Sequence, residues 1–176
     1  MSFDYQPILR SDLVELRPLR SQDYSDLYNV ASDPLIWEQH QARNRHEEAV
    51  FQSFFKDSLD SGGALIATDA RTQLVIGSSR FHGYNKATSE VEIGWTFLAR
   101  THWGGVYNGE MKRLMVHHAL GFVKSVVLLV GPDNRRSQRA VEKIGGARIG
   151  VRSDGAGLDS SVYEITASSF AACTDH

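Results

Sequence analysis

The order of hydrophobic periods along this chain restricts its fold more than any other feature. Three strand-like stretches follow one another, 64–69 (ALIATD), 73–82 (QLVIGSSRFH) and 90–98 (EVEIGWTFL). The links between them, Ala70-Arg71-Thr72 and Tyr84-Asn85-Lys86-Ala87-Thr88, are short and turn-rich, which favours an antiparallel meander. Then the period changes. Tyr107, Met111, Leu114, Met115, His118 and Phe122 fall on one face of a helix of about fifteen residues. Val126–Val130 is short, continuous and largely β-branched, as a strand buried on both faces would be. A helix between two strands of one sheet makes a βαβ crossover in the middle of the chain.

The flanks fit the same layer. Residues 13–19 alternate as a strand that ends near Pro18, and Ser21 is the expected N-cap of a helix through Leu27 and Val30, broken by Asp33-Pro34. A second helix is predicted from about 46 to 59 on Val50, Phe51, Phe54, Phe55 and Leu59, and Ser61-Gly62-Gly63 ends it. Asn134 opens a later helix that stops at Gly145-Gly146. Two closing strands, 147–151 and 161–166, surround a Ser153–Ser160 turn. The expectation is one α/β domain over residues 1–166, with a mixed sheet of about seven mostly antiparallel strands and about four helices. Residues 167–176 read as a frayed C-terminal tail.

Composition narrows the function. The 176 residues carry 19 Lys and Arg against 21 Asp and Glu, a net charge of −2 with His neutral, so no nucleic-acid coat or polybasic membrane patch is indicated. The longest strongly apolar run is Val126–Val130, far short of the roughly 20 residues of a spanning helix. Met1-Ser2-Phe3-Asp4-Tyr5-Gln6 lacks the character of a secretory signal, so a cytoplasmic location is expected. The single cysteine, Cys173, builds neither a disulfide framework nor a thiolate zinc site, and no metal is expected.

Two stretches are shaped for chemistry. In Phe97–Lys112 (FLARTHWGGVYNGEMK) a strand ends, a loop with Gly104 and Gly105 follows, and a helix begins near Tyr107 or Asn108. A helix start leaves N–H groups unpaired and adds partial positive charge, and glycines before it admit an anion such as a pyrophosphate. A tight strand-to-helix turn explains the same glycines without any ligand. No Gly-Lys-Ser/Thr follows, so this is not a P-loop, and the third glycine of the dinucleotide fingerprint is missing. In Val127–Gly146 (VLLVGPDNRRSQRAVEKIGG) a buried strand leads into a helix capped by Asn134, with Ser137 one turn later.

Together these stretches resemble the GCN5-related N-acetyltransferase (GNAT) superfamily, and within it the RimJ/RimL-type branch. Leu16-Arg17-Pro18-Leu19 with Asp23 is similar to the family's opening strand and helix, and Val91-Glu92-Ile93-Gly94-Trp95 to its fourth strand. Trp103-Gly104-Gly105-Val106-Tyr107-Asn108-Gly109-Glu110 stands where the family has its coenzyme A pyrophosphate loop. Asn134-Arg135-Arg136-Ser137 through Glu142-Lys143-Ile144-Gly145-Gly146 looks like its closing helix. Three positions depart from the pattern. Val106 replaces a usual loop glycine, which leaves Gly105 to supply the backbone freedom. Thr101 stands where Arg or Gln is common. Val141 stands where many relatives carry a tyrosine as general acid.

The resemblance implies acetyl transfer from acetyl-CoA to a primary amine by direct attack. It places the cosubstrate on Trp103, Gly104, Gly105, Val106, Tyr107, Asn108 and Gly109, with Asn134 and Ser137 alongside. It also implies that the fourth strand splays from the fifth, freeing N–H groups near Phe97 and Leu98 for the thioester carbonyl. Ser137 takes the place of the missing acid. Glu92 is the leading base, acting directly or through water, with Glu90 and His102 as alternatives; His117 and His118 read as packing or surface. The acceptor, a small molecule or a protein N-terminus, is expected on the side of the two N-terminal helices, near Trp37, His40 and Arg43. Homodimers are common in the family. The alternative reading is a non-catalytic acyl-CoA-binding module of the same fold.

Overall fold

Alternation along β3 (Ala64–Asp69) shows how the layers are built. Leu65 and Ala67 enter one apolar cluster, while Ala64 and Ile66 enter another on the opposite face of the sheet. In the computed structural model, which describes residues 1–174, eight strands form one sheet. Before β3 come β1 (Leu9–Arg10), β2 (Val14–Pro18), α1 (Tyr24–Ala31) and α2 (Glu48–Ser61). After it come β4 (Val75–Asn85), β5 (Glu90–Leu98), α3 (Tyr107–Leu120), β6 (Ser125–Val130), α4 (Arg135–Glu142), β7 (Ala147–Ser153), β8 (Asp159–Thr166) and α5 (Ala167–Thr174). The strand order is β1-β2-β3-β4-β5-β6-β8-β7. Every pair is antiparallel except β5–β6, the two strands joined through α3. The mixed α/β class, the meander and the central crossover follow the sequence expectation.

The helices cover the two faces unequally. Leu27 and Ala31 of α1 and Phe51, Phe54 and Phe55 of α2 pack with Ile66 and Phe97 on one face. Met111, Met115, Val116 and Ala119 of α3 pack with Val91, Ile93, Val126 and Leu128 on the other.

Three boundaries differ from expectation. Ser21 does not cap the first helix. The start is held by Asp23, whose Oδ2 accepts from the Arg20 N–H at 2.8 Å while Arg17 grips both carboxylate oxygens, and residues 21–23 form a 3₁₀ turn. β1 is a two-residue strand too short for any period to mark. Residues 167–174 are helix α5 and not a tail. Thr166 and Ser169 bond each other's N–H groups through their hydroxyls, a reciprocal start signal, and Phe170 is buried in the core. Gly145, at φ +98°, lies so close to the Ser169 carbonyl that a Cβ would collide with it.

Phe170→Ala should therefore lower the unfolding free energy by about 3 kcal/mol. Gly145→Ala should also destabilise, through its positive φ and the closeness of α5. Urea denaturation followed by far-UV circular dichroism reads both; an unchanged midpoint for Phe170→Ala would mean that α5 is not docked in solution.

Candidate functional site

The site begins with one extra residue. Ser78 pairs with Phe97 and Arg80 with Gly94, so Ser79 alone faces both Trp95 and Thr96. This is a β-bulge, with Trp95 at φ +52°, an unusual backbone for a bulky side chain. The Ser79 hydroxyl sits 2.8 Å from the Thr96 hydroxyl inside it. The bulge shifts the alternation of β5. Val91 and Ile93 face α3 before it, whereas Phe97 turns to the α1/α2 face and Leu98 to α3 after it. Glu92 and Phe97, of opposite parity, thereby end on the same face.

β5 and β6 then part. They pair at Glu90–Ser125, Val91–Val126 and Glu92–Val127 and no further, although both strands continue. On the β4 side Ala99 N–H donates to the Ile76 carbonyl, and by alternation Phe97 N–H also faces β4. Of the two expected donors, the open edge receives only that of Leu98. The Leu98 carbonyl, on the same edge, accepts from the Trp103 indole at 2.8 Å.

A cavity of about 650 Å³ fills the gap. Phe97, Leu98, Trp103, Gly104, Gly105, Asn108, Gly109, Asn134 and Ser137 line it, while Val106 and Tyr107 do not. Trp37 and His40 are part of its wall, whereas Arg43 lines a smaller neighbouring hollow. Its mouth at α3 suits an anion. No side chain caps that helix, and the first N–H of its opening turn to bond within it belongs to Glu110. Val106 takes ordinary helical angles, φ −89°, so its side chain costs nothing there. The left-handed residue is Gly104 at φ +70°, not Gly105.

The walls are cationic. Lys112, Arg135, Arg136, Arg139 and Lys143 line the cavity against one carboxylate, Asp133. Lys112 is buried and bonded to Asn108 Oδ1 at 3.1 Å; burial and Arg136 bring its ammonium down to about 8. Arg136 lies 3.6 Å over the Trp103 ring, joining the loop wall to the α4 wall. Sequence reasoning passed over these residues, although Lys112 follows Asn108 by one helical turn, as Arg139 follows Arg135. Asn134 acts as the cap of α4, its Oδ1 accepting from Ser137 N–H at 3.2 Å. Val141 is fully buried in the core and outside the cavity.

The candidate bases separate. Glu92 is half-buried opposite His82, and burial raises its carboxyl above the ordinary range. Glu90 pairs with Arg152 at 3.5 Å. His40 is pushed down to about 4 by burial and by Arg45 and Arg136, and its Nδ1 accepts from Ala42 N–H, which puts the ring proton on Nε2. His102 lies outside the cavity with both nitrogens engaged, Nδ1 with Thr101 and Nε2 with Asp69 at 3.1 Å. Among the described residues, no group of three or more His, Cys, Asp or Glu is placed to hold a metal ion.

Asp69 ties the loop to the sheet. It accepts from His102, from the Tyr107 hydroxyl at 3.0 Å and from the N–H groups of Arg71 and Thr72. The His102 bond above all, with the others, holds its carboxyl at about 2 against the effect of burial.

The arrangement is therefore a mixed sheet split between two parallel strands, with an uncapped helix start at the split. The family model for the acetyltransferase (GNAT) domain matches residues 14–147, and the chain belongs to that family. Among solved structures, a GCN5-related N-acetyltransferase from Brucella melitensis superposes with TM-score 0.83 at 17% identity, over 97% of this chain and 83% of that one. An acetyltransferase of the GNAT family from Bacillus anthracis gives 0.75 at 18%, over 91% and 98%. Mycobacterium smegmatis RimJ, solved with CoA-disulfide, gives 0.69 at 20%, over 92% and 87%. No curated protein matches. Among the described residues, no helix is long and apolar enough to cross a membrane.

Because the folded carboxyl of Asp69 titrates below its ordinary value of about 3.9, its contribution is complete above that pH and is lost as pH falls through about 2. The melting-temperature gap between the native chain and Asp69→Asn should be constant above about pH 5 and close toward pH 2. A gap that does not change with pH would remove the ionised carboxylate as its source.

Proposed function

We propose that the chain transfers an acetyl group from acetyl-CoA to a primary amine. One observation carries this reading: the separation of β5 from β6 beyond Glu92–Val127, opening onto an uncapped helix start with cationic walls. A polyanionic cosubstrate suits those walls in a protein whose net charge is −2. The free N–H groups of residues 107–109, reached past Gly104 and Gly105, would hold its pyrophosphate, with Lys112 adding charge. Bound acetyl-CoA supplies a thioester whose carbonyl carbon accepts the amine. The Leu98 N–H on the open edge would stabilise the oxygen as charge develops there.

A cationic amine has no lone pair, and lysine-like amines titrate near ~10.4, so a base is needed. Glu92 takes that proton, through water because its carboxyl lies outside the main cavity. A carboxyl with a raised pKa is better matched to this task than an ordinary one. As the nitrogen–carbon bond forms and the carbon–sulfur bond breaks, the nitrogen sheds its second proton to solvent, and the Ser137 hydroxyl gives its own proton to the departing sulfur and regains one from that solvent. Since a thiolate of pKa near ~8.5 leaves readily, this help is modest.

Acetyl-CoA at about 100 times its Kd should stabilise the fold by about 2.7 kcal/mol, read as a thermal shift. Addition of an amine panel should then release free CoA thiol. A shift without thiol release would favour the non-catalytic acyl-CoA-binding reading, and no shift would end both. Glu92→Gln should reduce turnover by about 10²-fold or more with an unchanged thermal shift, and Ser137→Ala by about tenfold or less. Unaltered turnover of Glu92→Gln at neutral pH would remove Glu92 from the reaction.

A further inference from the structure

On the α1/α2 face, beside Glu92, two arginines packed among aromatic rings have no carboxylate of the described residues within ion-pair distance. Arg17 grips Asp23 and Arg113 grips Glu110, each through two nitrogens. Arg45 and Arg80, by contrast, make no ion pair among the described residues. Arg80 is 7% exposed, its Nη2 donates to Ser58 Oγ at 2.6 Å, and its Nε is buried with no acceptor. Its guanidinium lies 4.4 Å from the Trp95 ring centroid and 5.8 Å from that of Phe54. Arg45 lies 4.3 Å from the Phe54 centroid and 5.2 Å from that of Trp37. Both cations thus share one aromatic ring.

Stacking occupies the face of a guanidinium and leaves its in-plane N–H donors to be matched at the edges; on Arg80 one edge is spent on Ser58 and Nε is buried without an acceptor. Two like charges are thus held over one ring with no carboxylate in contact with either among the described residues. Burial and Arg80 bring the Arg45 guanidinium down to about 10, which agrees with a counter-charge missing nearby. Glu92 and Asp57 act on Arg80 through space, and neither forms an ion pair with it. Arg45 also adjoins the cavity, since Trp37 beneath it is a cavity wall and His40 feels its charge. From His40 through Arg45 and Arg80 to Glu92 there runs a row of polar groups on the acceptor side of the bulge.

We propose that the acceptor amine carries an acidic group, a carboxylate or a phosphate, which docks on Arg45 and Arg80 while its nitrogen faces Glu92. Planar forks of this kind match both anions by paired hydrogen bonds. A polycation without an acidic group would meet two guanidiniums of its own sign. This inference rests on the acetyltransferase reading and specifies its substrate class.

The test uses the full chain with acetyl-CoA and matched acceptors. Free amino acids are compared with their carboxamides, and O-phosphoethanolamine with ethanolamine; spermidine serves as the polycation. In at least one pair the acidic member should have kcat/KM about tenfold or more above its neutral partner, mostly through KM. Which pair shows the preference separates carboxylate from phosphate. Arg45→Met should narrow that ratio to about threefold or less, and Arg45→Lys should keep an intermediate ratio. The native chain's own ratios need no variant, so a misfolded substitution does not blunt the test. Equal or better use of the neutral partners or of spermidine would overturn the proposal, as would a ratio untouched by Arg45→Met. A thermal shift with acetyl-CoA on the same samples distinguishes the two failures. Acetylation confined to neutral amines ends this inference alone, whereas no shift and no thiol release end the acetyltransferase reading with it.

Discussion

One inserted residue in β5 organises the molecule. Opposite Ser79 the strand carries two residues, Trp95 and Thr96, and the backbone at Trp95 adopts a left-handed conformation that a bulky side chain resists. The cost is met by neighbours that leave no alternative: Arg80 stacks on the indole, His82 meets its edge, and Ser79 and Thr96 join inside the bulge. A bulge bends its strand. Here the bend coincides with the end of pairing to β6, and the cavity, the open Leu98 N–H and the shared face of Glu92 and Phe97 all lie around it.

Charge is distributed with equal economy. The chain is slightly acidic overall, yet its cavity presents five Lys and Arg against one Asp. A local field of this kind attracts an anion without making the whole surface sticky for nucleic acids. The cations also fall into two groups with different surroundings. Those on α3 and α4 line the cavity at the uncapped helix start. Arg45 and Arg80 are wrapped in aromatic rings on the opposite face of the sheet. In the proposed reaction the first group would meet the cosubstrate and the second the acceptor.

Much of the fold was legible because strong periods mark it. The 64–69 and 90–98 strands coincide with β3 and β5, and the Tyr107–Phe122 stripe with α3. The loop and Asn134, which line the cavity, were legible because glycines before a helix and a capping side chain are local features. What escaped was non-local. The bulge leaves no composition signature, since EVEIGWTFL reads as an ordinary alternating strand; only the pairing with Ser79 exposes it. His102 looked free in the sequence because Asp69 lies 33 residues away. Arg45 and Arg80 passed unremarked for the same reason: their lack of partners is visible only once every neighbour is in place. The C-terminal helix was different, because the Thr166/Ser169 pair was present to be read, though without the acidic third residue that usually announces such a start.

The placement of the aromatic residues has an optical consequence. The chain has three tryptophans. Trp37 and Trp103 line the cavity, and Trp95 forms the bulge between Arg80 and His82. None stands elsewhere, so the native emission spectrum is a local gauge of this one region, sensitive to whatever enters it and without need of an attached dye. The same concentration makes that signal a poor witness to distant parts of the domain, such as the α5 contact, whose loosening would pass in the dark.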